Sequence, residues 1–223
     1  MDVSLIARII TLAEPVQEIE TIALTEGCQV VFMDGNEATL RDLRPGAKDE
    51  AQGQPGKRHR IVLATKVFGP VDAADPNAGW LSRRHIIQEV ENSLRRLQTD
   101  HIDLYQLHRP QLDIPLDETL RALDDLIRAG KVRYIGTSFF APWHIVESLW
   151  ISRSLGLNRF ISEQSPYSML TREIEKQLLP MARRHEMAIL AFSPLDGGLL
   201  TARYRRDREF PESSRFGSPT WGS

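Results

Sequence analysis

Residues 61–66 read Ile-Val-Leu-Ala-Thr-Lys, residues 102–108 read Ile-Asp-Leu-Tyr-Gln-Leu-His, and a helical pattern fills residues 82–97 between them. A strand, a helix and a second strand in this order predict a βαβ unit with two parallel strands. Each strand ends in an ionisable side chain, Lys66 in the first and His108 in the second. Because catalytic groups in such folds collect at the carboxyl ends of the strands, we expect both side chains to face one crevice.

The same alternation continues along the chain. Ser82 is suited to a helix N-cap, Pro142 to a first helical turn and Gly130 to a helix end. The strands are nearly continuous apolar runs, as parallel strands covered on both faces are. Repeated alternation predicts an α/β fold with a parallel sheet. The further strands are predicted at 132–136, 160–163 and 188–192, and the further helices at 116–129, 142–155 and 171–185.

Two architectures fit this alternation, a doubly wound sheet and a closed (β/α)8 TIM barrel. A doubly wound nucleotide-binding fold usually has a Gly-x-Gly-x-x-Gly turn after its first strand, and this chain has none. The sequence therefore favours the barrel. A barrel needs eight strands, whereas the sequence predicts five strong ones and a weak sixth at residues 29–33.

Bulk composition excludes several classes of protein. The 223 residues are 41% hydrophobic, which is enough for the core of a single domain. The net charge of −2 and the mixing of charges argue against a nucleic-acid partner, and no apolar run is long enough to span a membrane. The first residues do not resemble an export signal, and Cys28 is the only cysteine, interpreted as a small buried hydrophobe. We expect a cytoplasmic protein.

The chain divides by composition into three segments of one domain. Residues 1–60 form a divergent amino-terminal segment, in which 41–60 are polar, rich in Gly and Pro, and predicted to be a loop. Residues 61–202 carry the βα repeats. Residues 203–223 form an irregular polar tail.

Several blocks together resemble one enzyme family. Ala-Thr-Lys at 64–66 is followed by Ser-Leu-Arg-Arg-Leu-Gln-Thr-Asp-His-Ile-Asp-Leu-Tyr-Gln-Leu-His-Arg-Pro at 93–110 and Ala-Gly-Lys-Val-Arg-Tyr-Ile-Gly-Thr-Ser at 129–138. Glu-Gln-Ser-Pro-Tyr-Ser at 163–168 and Phe-Ser-Pro-Leu-Asp-Gly-Gly-Leu-Leu-Thr at 192–201 follow. In order and spacing these blocks resemble the aldo-keto reductases over roughly three-fifths of the chain.

The resemblance implies a (β/α)8 barrel that reduces a small aldehyde or ketone with NADPH. The family uses an Asp, a Tyr, a Lys and a His in catalysis. The Tyr protonates the carbonyl oxygen, the Lys paired to the Asp lowers the pKa of the Tyr, and the His orients the carbonyl and stabilises its developing charge. Lys66 matches the family Lys, His108 matches the family His, and Asp34 is a candidate for the family Asp.

The resemblance also implies a cofactor site. Ser138 and Gln164 correspond to the polar pair that holds the nicotinamide carboxamide, and Phe192 to the aromatic ring that stacks on the nicotinamide. The family places the loop containing Ser193, Leu195 and Gly197 near the pyrophosphate.

The chain departs from the family pattern at the catalytic acid. The family Tyr lies upstream of the Lys, but all four tyrosines here (Tyr105, Tyr134, Tyr167 and Tyr204) lie downstream of Lys66. Carbonyl reduction is therefore expected to be weakened by about 100- to 10,000-fold, the usual contribution of a positioned acid. Phe139 stands where the family often has Asn beside the Ser.

The carboxyl-terminal part departs as well, because the family's last strand, its helix and the basic residues for the 2′-phosphate would follow residue 201. We expect a truncated barrel whose open strand edges favour self-association. A truncated or frame-shifted gene product would give this pattern.

Other interpretations stay open. Lys66 can also be interpreted as a solvated lysine at a strand end or as the Schiff-base lysine of a barrel aldolase. His108 can be interpreted as a structural histidine. We consider two hypotheses for the function of the chain. The first is an NADPH-dependent reductase. The second is a non-catalytic family member that binds a nucleotide or a protein, as potassium-channel β subunits of this family do.

Overall fold

Seven strands form one sheet in chain order. The computed structural model describes residues 21–25, 28–32, 61–72, 74–201, 204–205, 209–210 and 216–217. The strands are β1 (Thr21–Thr25), β2 (Cys28–Phe32), β3 (Ile61–Val67), β4 (Ile102–Leu107), β5 (Val132–Ser138), β6 (Ser162–Pro166) and β7 (Ala188–Phe192). The five strands from β3 to β7 are mutually parallel and form a curled half-barrel, which confirms the α/β class and the incomplete barrel predicted from the sequence.

Helices connect the parallel strands. Ser82 caps the first helix as predicted, since its hydroxyl accepts a hydrogen bond from the backbone N–H of His85 at 3.3 Å. Pro142 lies in the first turn of the third helix, and Gly130 follows the second with a φ of 74°, as a helix-ending glycine does. The helices are α1 (Arg83–Leu97), α2 (Leu116–Arg128), α3 (Pro142–Leu155) and α4 (Leu178–Arg184).

The helix predicted at 171–185 is interrupted. A short 3-10 helix covers Glu173–Glu175, and α4 begins only at Leu178. Pro180 explains the interruption: a proline has no N–H for the carbonyl four residues earlier, and its ring clashes with that carbonyl, so it is tolerated only in a first turn. The prediction of one continuous helix was wrong for this reason.

The first two strands differ from the repeat pattern. β1 pairs with β2 and β2 with β3, both antiparallel. The sequence predicted a strand at 29–33, which the structure has at Cys28–Phe32, but it did not predict β1 or the antiparallel pairing. Strand β6 begins at Ser162, whereas the sequence predicted a start at residue 160. Phe160 and Ile161 lie before the strand and are buried, which accounts for the apolar run that suggested the earlier start. The predicted loop at 41–60 and the side chain of Cys28 lie outside the described residues.

The two faces of the sheet have different surroundings, since side chains alternate between them. On the outer face, Leu107 and Ile135 belong to one buried cluster with helical residues such as Ile86, Leu123 and Ile145. The inner face carries a smaller cluster of Ala64, Leu104 and Ile161, with Tyr134, Ala188 and Leu190 packed against it. In the described part of the chain, no helix is long and apolar enough to cross a membrane.

Candidate active site at the carboxyl edge of the sheet

Lys66 and His108 lie together at the carboxyl edge, as the βαβ unit predicts. Lys66 pairs with Gln106 in the register of β3 and β4. His108 directly follows β4, and its backbone N–H donates to the carbonyl oxygen of Val67 at 3.0 Å. This hydrogen bond connects the ends of β3 and β4, so the two ionisable side chains lie at neighbouring positions.

The electrostatic surroundings keep the His108 imidazole neutral. Partial burial, followed by the positive charges of Lys66 and Arg109, lowers the pKa of His108 below its usual value. A neutral imidazole still has one N–H to donate. At neutral pH His108 is therefore suited to donate a hydrogen bond to a carbonyl oxygen, while the positive charge beside it comes from Lys66 and Arg109.

A buried amide network lies next to this pair on the inner face. The Nε2 of Gln106 donates to Oε1 of Gln164 at 3.2 Å, and the hydroxyl of Ser138 donates to the backbone oxygen of Gln164 at 3.0 Å. All three side chains are buried. Ser138 and Gln164 were expected at one site from the sequence, and the register of β5 and β6 pairs them directly. Gln106 was missed, although its place two residues before His108 on β4 puts it on the same face.

An aromatic cluster extends the edge to β7. The rings of Phe139 and Phe192 lie 5.2 Å apart between centroids and are inclined by 51°. The guanidinium carbon of Arg109 lies 3.7 Å from the centroid of the Phe139 ring. Phe139 has a φ of 59°, which is uncommon for a bulky residue, and its backbone N–H donates to the oxygen of Gln164 at 3.1 Å. Both aromatic side chains are half-buried, so they offer apolar surface to a planar ligand.

The loop after β7 closes the same edge. Ser193 and Gly197 both adopt positive φ angles, of 54° and 66°. Asp196 anchors the loop, because its Oδ2 accepts a hydrogen bond from the hydroxyl of Ser168 at 2.9 Å. Leu195 is exposed on this loop. The residues that the resemblance assigns to the pyrophosphate therefore follow the strand that carries Phe192.

Tyrosines do not supply an acid beside Lys66 and His108 in the described part of the chain. Tyr105 is fully buried in the outer cluster, and Tyr134 lies on the inner face but pairs with Leu104, deeper in the sheet than Gln106. The hydroxyl of Tyr167 donates to Glu175 at 2.9 Å, and the Tyr204 ring packs against Phe210 and Phe216. Asp34, the candidate for the family Asp, lies outside the described residues.

Glu163 supports the site from the outer face and was also missed. Its side chain is fully buried, and Oε1 accepts hydrogen bonds from the backbone N–H of Phe140 at 3.2 Å and from the hydroxyl of Ser165 at 2.9 Å. Burial raises the pKa of Glu163 to about 7, although hydrogen bonds from Thr137, Ser165 and the backbone of Phe140 and Phe139 oppose the rise. The carboxyl group thereby fastens the loop that carries Phe139 to the strand that carries Gln164.

The side chains at this edge fit a nicotinamide carboxamide. Such a group needs a donor and an acceptor, and an amide side chain provides both. The hydroxyl oxygen of Ser138 keeps acceptor capacity while its hydrogen is donated to Gln164. Phe192 supplies the neighbouring aromatic face. Metal ligation has no comparable support, since the described residues contain no group of three or more His, Cys, Asp or Glu that could hold an ion.

Comparison with known proteins agrees with this geometry. The family model of the aldo/keto reductase family matches residues 36–217. An uncharacterized oxidoreductase, YrpG, of Bacillus subtilis is 44% identical over 149 residues, covering 65% of this chain and 45% of the relative. The aldo-keto reductase YhdN of the same organism is 37% identical over 184 residues, covering 77% of this chain and 52% of the relative.

The chain is also similar to a relative that is named as a channel subunit. A probable voltage-gated potassium channel subunit beta of Arabidopsis thaliana is 36% identical over 179 residues, covering 77% of this chain and 53% of that protein. The chain spans about half the length of the curated relatives it matches.

Proposed function

Because the chain belongs to the aldo/keto reductase family, we propose that it reduces a small aldehyde or ketone to an alcohol with a nicotinamide cofactor, NADPH. One observation carries the proposal. The side chains of Lys66, His108, Ser138, Gln164 and Phe192 come from the ends of five consecutive parallel strands and lie along one edge of the sheet. That edge is where α/β folds bind ligands and perform catalysis.

Three side chains of this edge hold the nicotinamide end of the cofactor in our proposal. Ser138 and Gln164 bind the carboxamide, and Phe192 packs against the ring. The loop with Ser193, Leu195 and Gly197 faces the pyrophosphate. Support comes from the hydrogen bond that Gln106 donates to the Gln164 amide, which orients that amide before a ligand arrives, while Ser138 donates to the backbone oxygen of Gln164. NADP(H) rather than NAD(H) follows from the family resemblance.

The catalytic role falls to His108 and Lys66, with Asp34 as the partner of the lysine. A bound reduced nicotinamide would supply the hydride. His108 donates a hydrogen bond to the carbonyl oxygen and so orients the carbonyl carbon. The positive charge of Lys66 stabilises the negative charge that develops on that oxygen.

Turnover is expected to be slow, because the chain has no tyrosine at the family position. A positioned acid usually contributes about 100- to 10,000-fold to the rate. Water, or the fraction of His108 that is protonated, would have to provide the proton in this chain. A cytoplasmic location and the absence of a nucleic-acid partner remain predictions from the sequence.

The test is reduction of para-nitrobenzaldehyde by the full chain, followed by the loss of NADPH absorbance. We expect slow turnover that Lys66→Met and His108→Gln each reduce further by about 10-fold or more. Lys176→Met is the matched control, because Lys176 is an exposed lysine that pairs with Glu173 and belongs to none of the five strand ends. Turnover that neither site variant changes would exclude this edge as the active site.

A binding role is the second candidate. The absent tyrosine and the similarity to potassium channel β subunits favour it. In that case the chain would bind NADPH without reducing any aldehyde. A pull-down that recovers no specific partner would count against this role.

A further inference from the structure

Arg109 lies at the carboxyl edge of the sheet, beside the candidate active site. It directly follows His108, and Pro110 after it restricts its backbone to extended conformations. The guanidinium lies over the ring of Phe139, with 3.7 Å from its central carbon to the ring centroid. Phe139 in turn packs against Phe192. The exposed guanidinium therefore contacts the aromatic cluster that lies next to His108 at this edge.

The charge of Arg109 is not neutralised within the described part of the chain. Its side chain forms no ion pair with a carboxylate there, and its contact is with an aromatic face. Other arginines near the sheet differ, since Arg128 pairs with Asp124 and Arg133 pairs with Asp103. Lys66 adds a second positive charge close to His108. The guanidinium of Arg109 therefore contributes a positive charge at the mouth of the candidate site.

From this geometry we propose that Arg109 is a subsite for an anionic group of the substrate, so that the site prefers carbonyl compounds that also carry a carboxylate. The guanidinium has a planar set of donors that matches a carboxylate in two parallel hydrogen bonds. Its contact is with the face of the Phe139 ring, and within the described residues its N–H groups donate no hydrogen bond to a side chain or backbone oxygen. This inference rests on the proposed reductase function and names its substrate class.

The experiment compares para-carboxybenzaldehyde with para-nitrobenzaldehyde, which has a neutral group of similar shape. We measure kcat/KM for both aldehydes with the unmodified chain, Arg109→Met and Arg109→Lys. The ratio of the two values in each protein matters, because the intrinsic reactivity difference between the aldehydes cancels when proteins are compared. Arg84→Met is the control, since Arg84 is an exposed arginine on α1 whose nearest carboxylate, on Asp75, is 3.9 Å away.

We expect Arg109→Met to lower the preference for the carboxylate by about 10- to 100-fold, the usual contribution of hydrogen bonds to charged groups. Arg109→Lys should keep part of the preference, because it retains the charge but loses the planar donors. Arg84→Met should leave the ratio unchanged. Equal losses for both aldehydes in Arg109→Met, or no loss for either, would overturn the proposal.

Binding separates this proposal from the proposed reaction. If the chain reduces neither aldehyde, the reductase function fails, but calorimetric titration with benzoate still tests the subsite. We expect benzoate to bind the unmodified chain at least about 10 times more tightly than Arg109→Met. Benzoate affinity that is the same in the two proteins, or absent in both, would overturn the subsite.

Discussion

The buried carboxyl group of Glu163 gives the chain a pH-dependent stability that Glu163→Gln removes. Burial raises the pKa of Glu163 from 4.5 to about 7 in the folded chain. The folded state therefore binds this proton more tightly than the unfolded state does. Between the two pKa values the folded chain carries more protons than the unfolded chain, so the free energy of unfolding falls as the pH rises.

The magnitude follows from the two pKa values. The difference between 4.5 and about 7 corresponds to about 3 kcal/mol. This contribution is fully present below pH 4.5, is lost progressively as the pH rises towards about 7, and stays lost above that value. Glutamine has nearly the same shape and does not ionise, so its own contribution does not change with pH.

The assay is urea unfolding of the full chain and of Glu163→Gln at a series of pH values from acid to mildly alkaline. The difference between the two free energies of unfolding is plotted against pH. Burial also lowers the pKa values of His85 and His144, which stabilises the fold as the pH rises through the usual histidine range. These histidines are present in both proteins, so their effect cancels in the difference.

The difference should change by about 3 kcal/mol across the pH range, in favour of the variant at the alkaline end. Glu173→Gln is the control for the same substitution at an exposed carboxylate. A flat difference for Glu163→Gln, or a change in favour of the unmodified chain at high pH, would refute the reasoning.

Three further substitutions test the packing that positions the site. Gly136→Ala should lower the free energy of unfolding by about 1–3 kcal/mol in urea, because the added Cβ would lie 2.5 Å from the hydroxyl oxygen of Ser162; unchanged stability would contradict the close approach of β5 and β6. Asp124→Asn should lower the free energy of unfolding more above the usual carboxyl pKa than in acid. Burial alone would raise the pKa of Asp124, but hydrogen bonds and the charge of an arginine lower it. An equal loss of unfolding free energy at every pH would contradict this. Thr119→Val should cost about 1 kcal/mol of unfolding free energy, since its hydroxyl donates to the buried backbone oxygen of Leu81 at 2.9 Å; a thermal melt identical to that of the unmodified chain would count against that bond.

The parallel part of the fold could be predicted because its signals are local. β7 and α3 have the predicted bounds, since apolar runs and caps define them directly, and β4 ends one residue before His108. The antiparallel strand β1 was not predicted, because its five residues, Thr-Ile-Ala-Leu-Thr, are too short a pattern to distinguish a strand from a helix. The split before α4 could have been predicted from Pro180 alone.

The candidate site was predictable only where a residue ends a strand or matches a family block. Lys66 and His108 follow from strand ends, and Ser138 and Gln164 from the resemblance. Gln106 and Glu163 are buried polar residues whose roles depend on partners that lie 58 and 23 positions away in sequence. Sequence periodicity gives the face of such a residue, but it cannot give the hydrogen-bond partner. The contact of Arg109 with Phe139 is tertiary in the same way.

The central claim is that the carboxyl edge of the parallel strands holds the nicotinamide end of NADPH. Calorimetric titration of the full chain with NADPH, repeated with Ser138→Ala, tests it most directly. We expect saturable binding to one site that Ser138→Ala weakens by about 10-fold, the usual effect of one lost hydrogen bond to a ligand. No binding, or binding that Ser138→Ala leaves unchanged, would contradict the assignment of this edge.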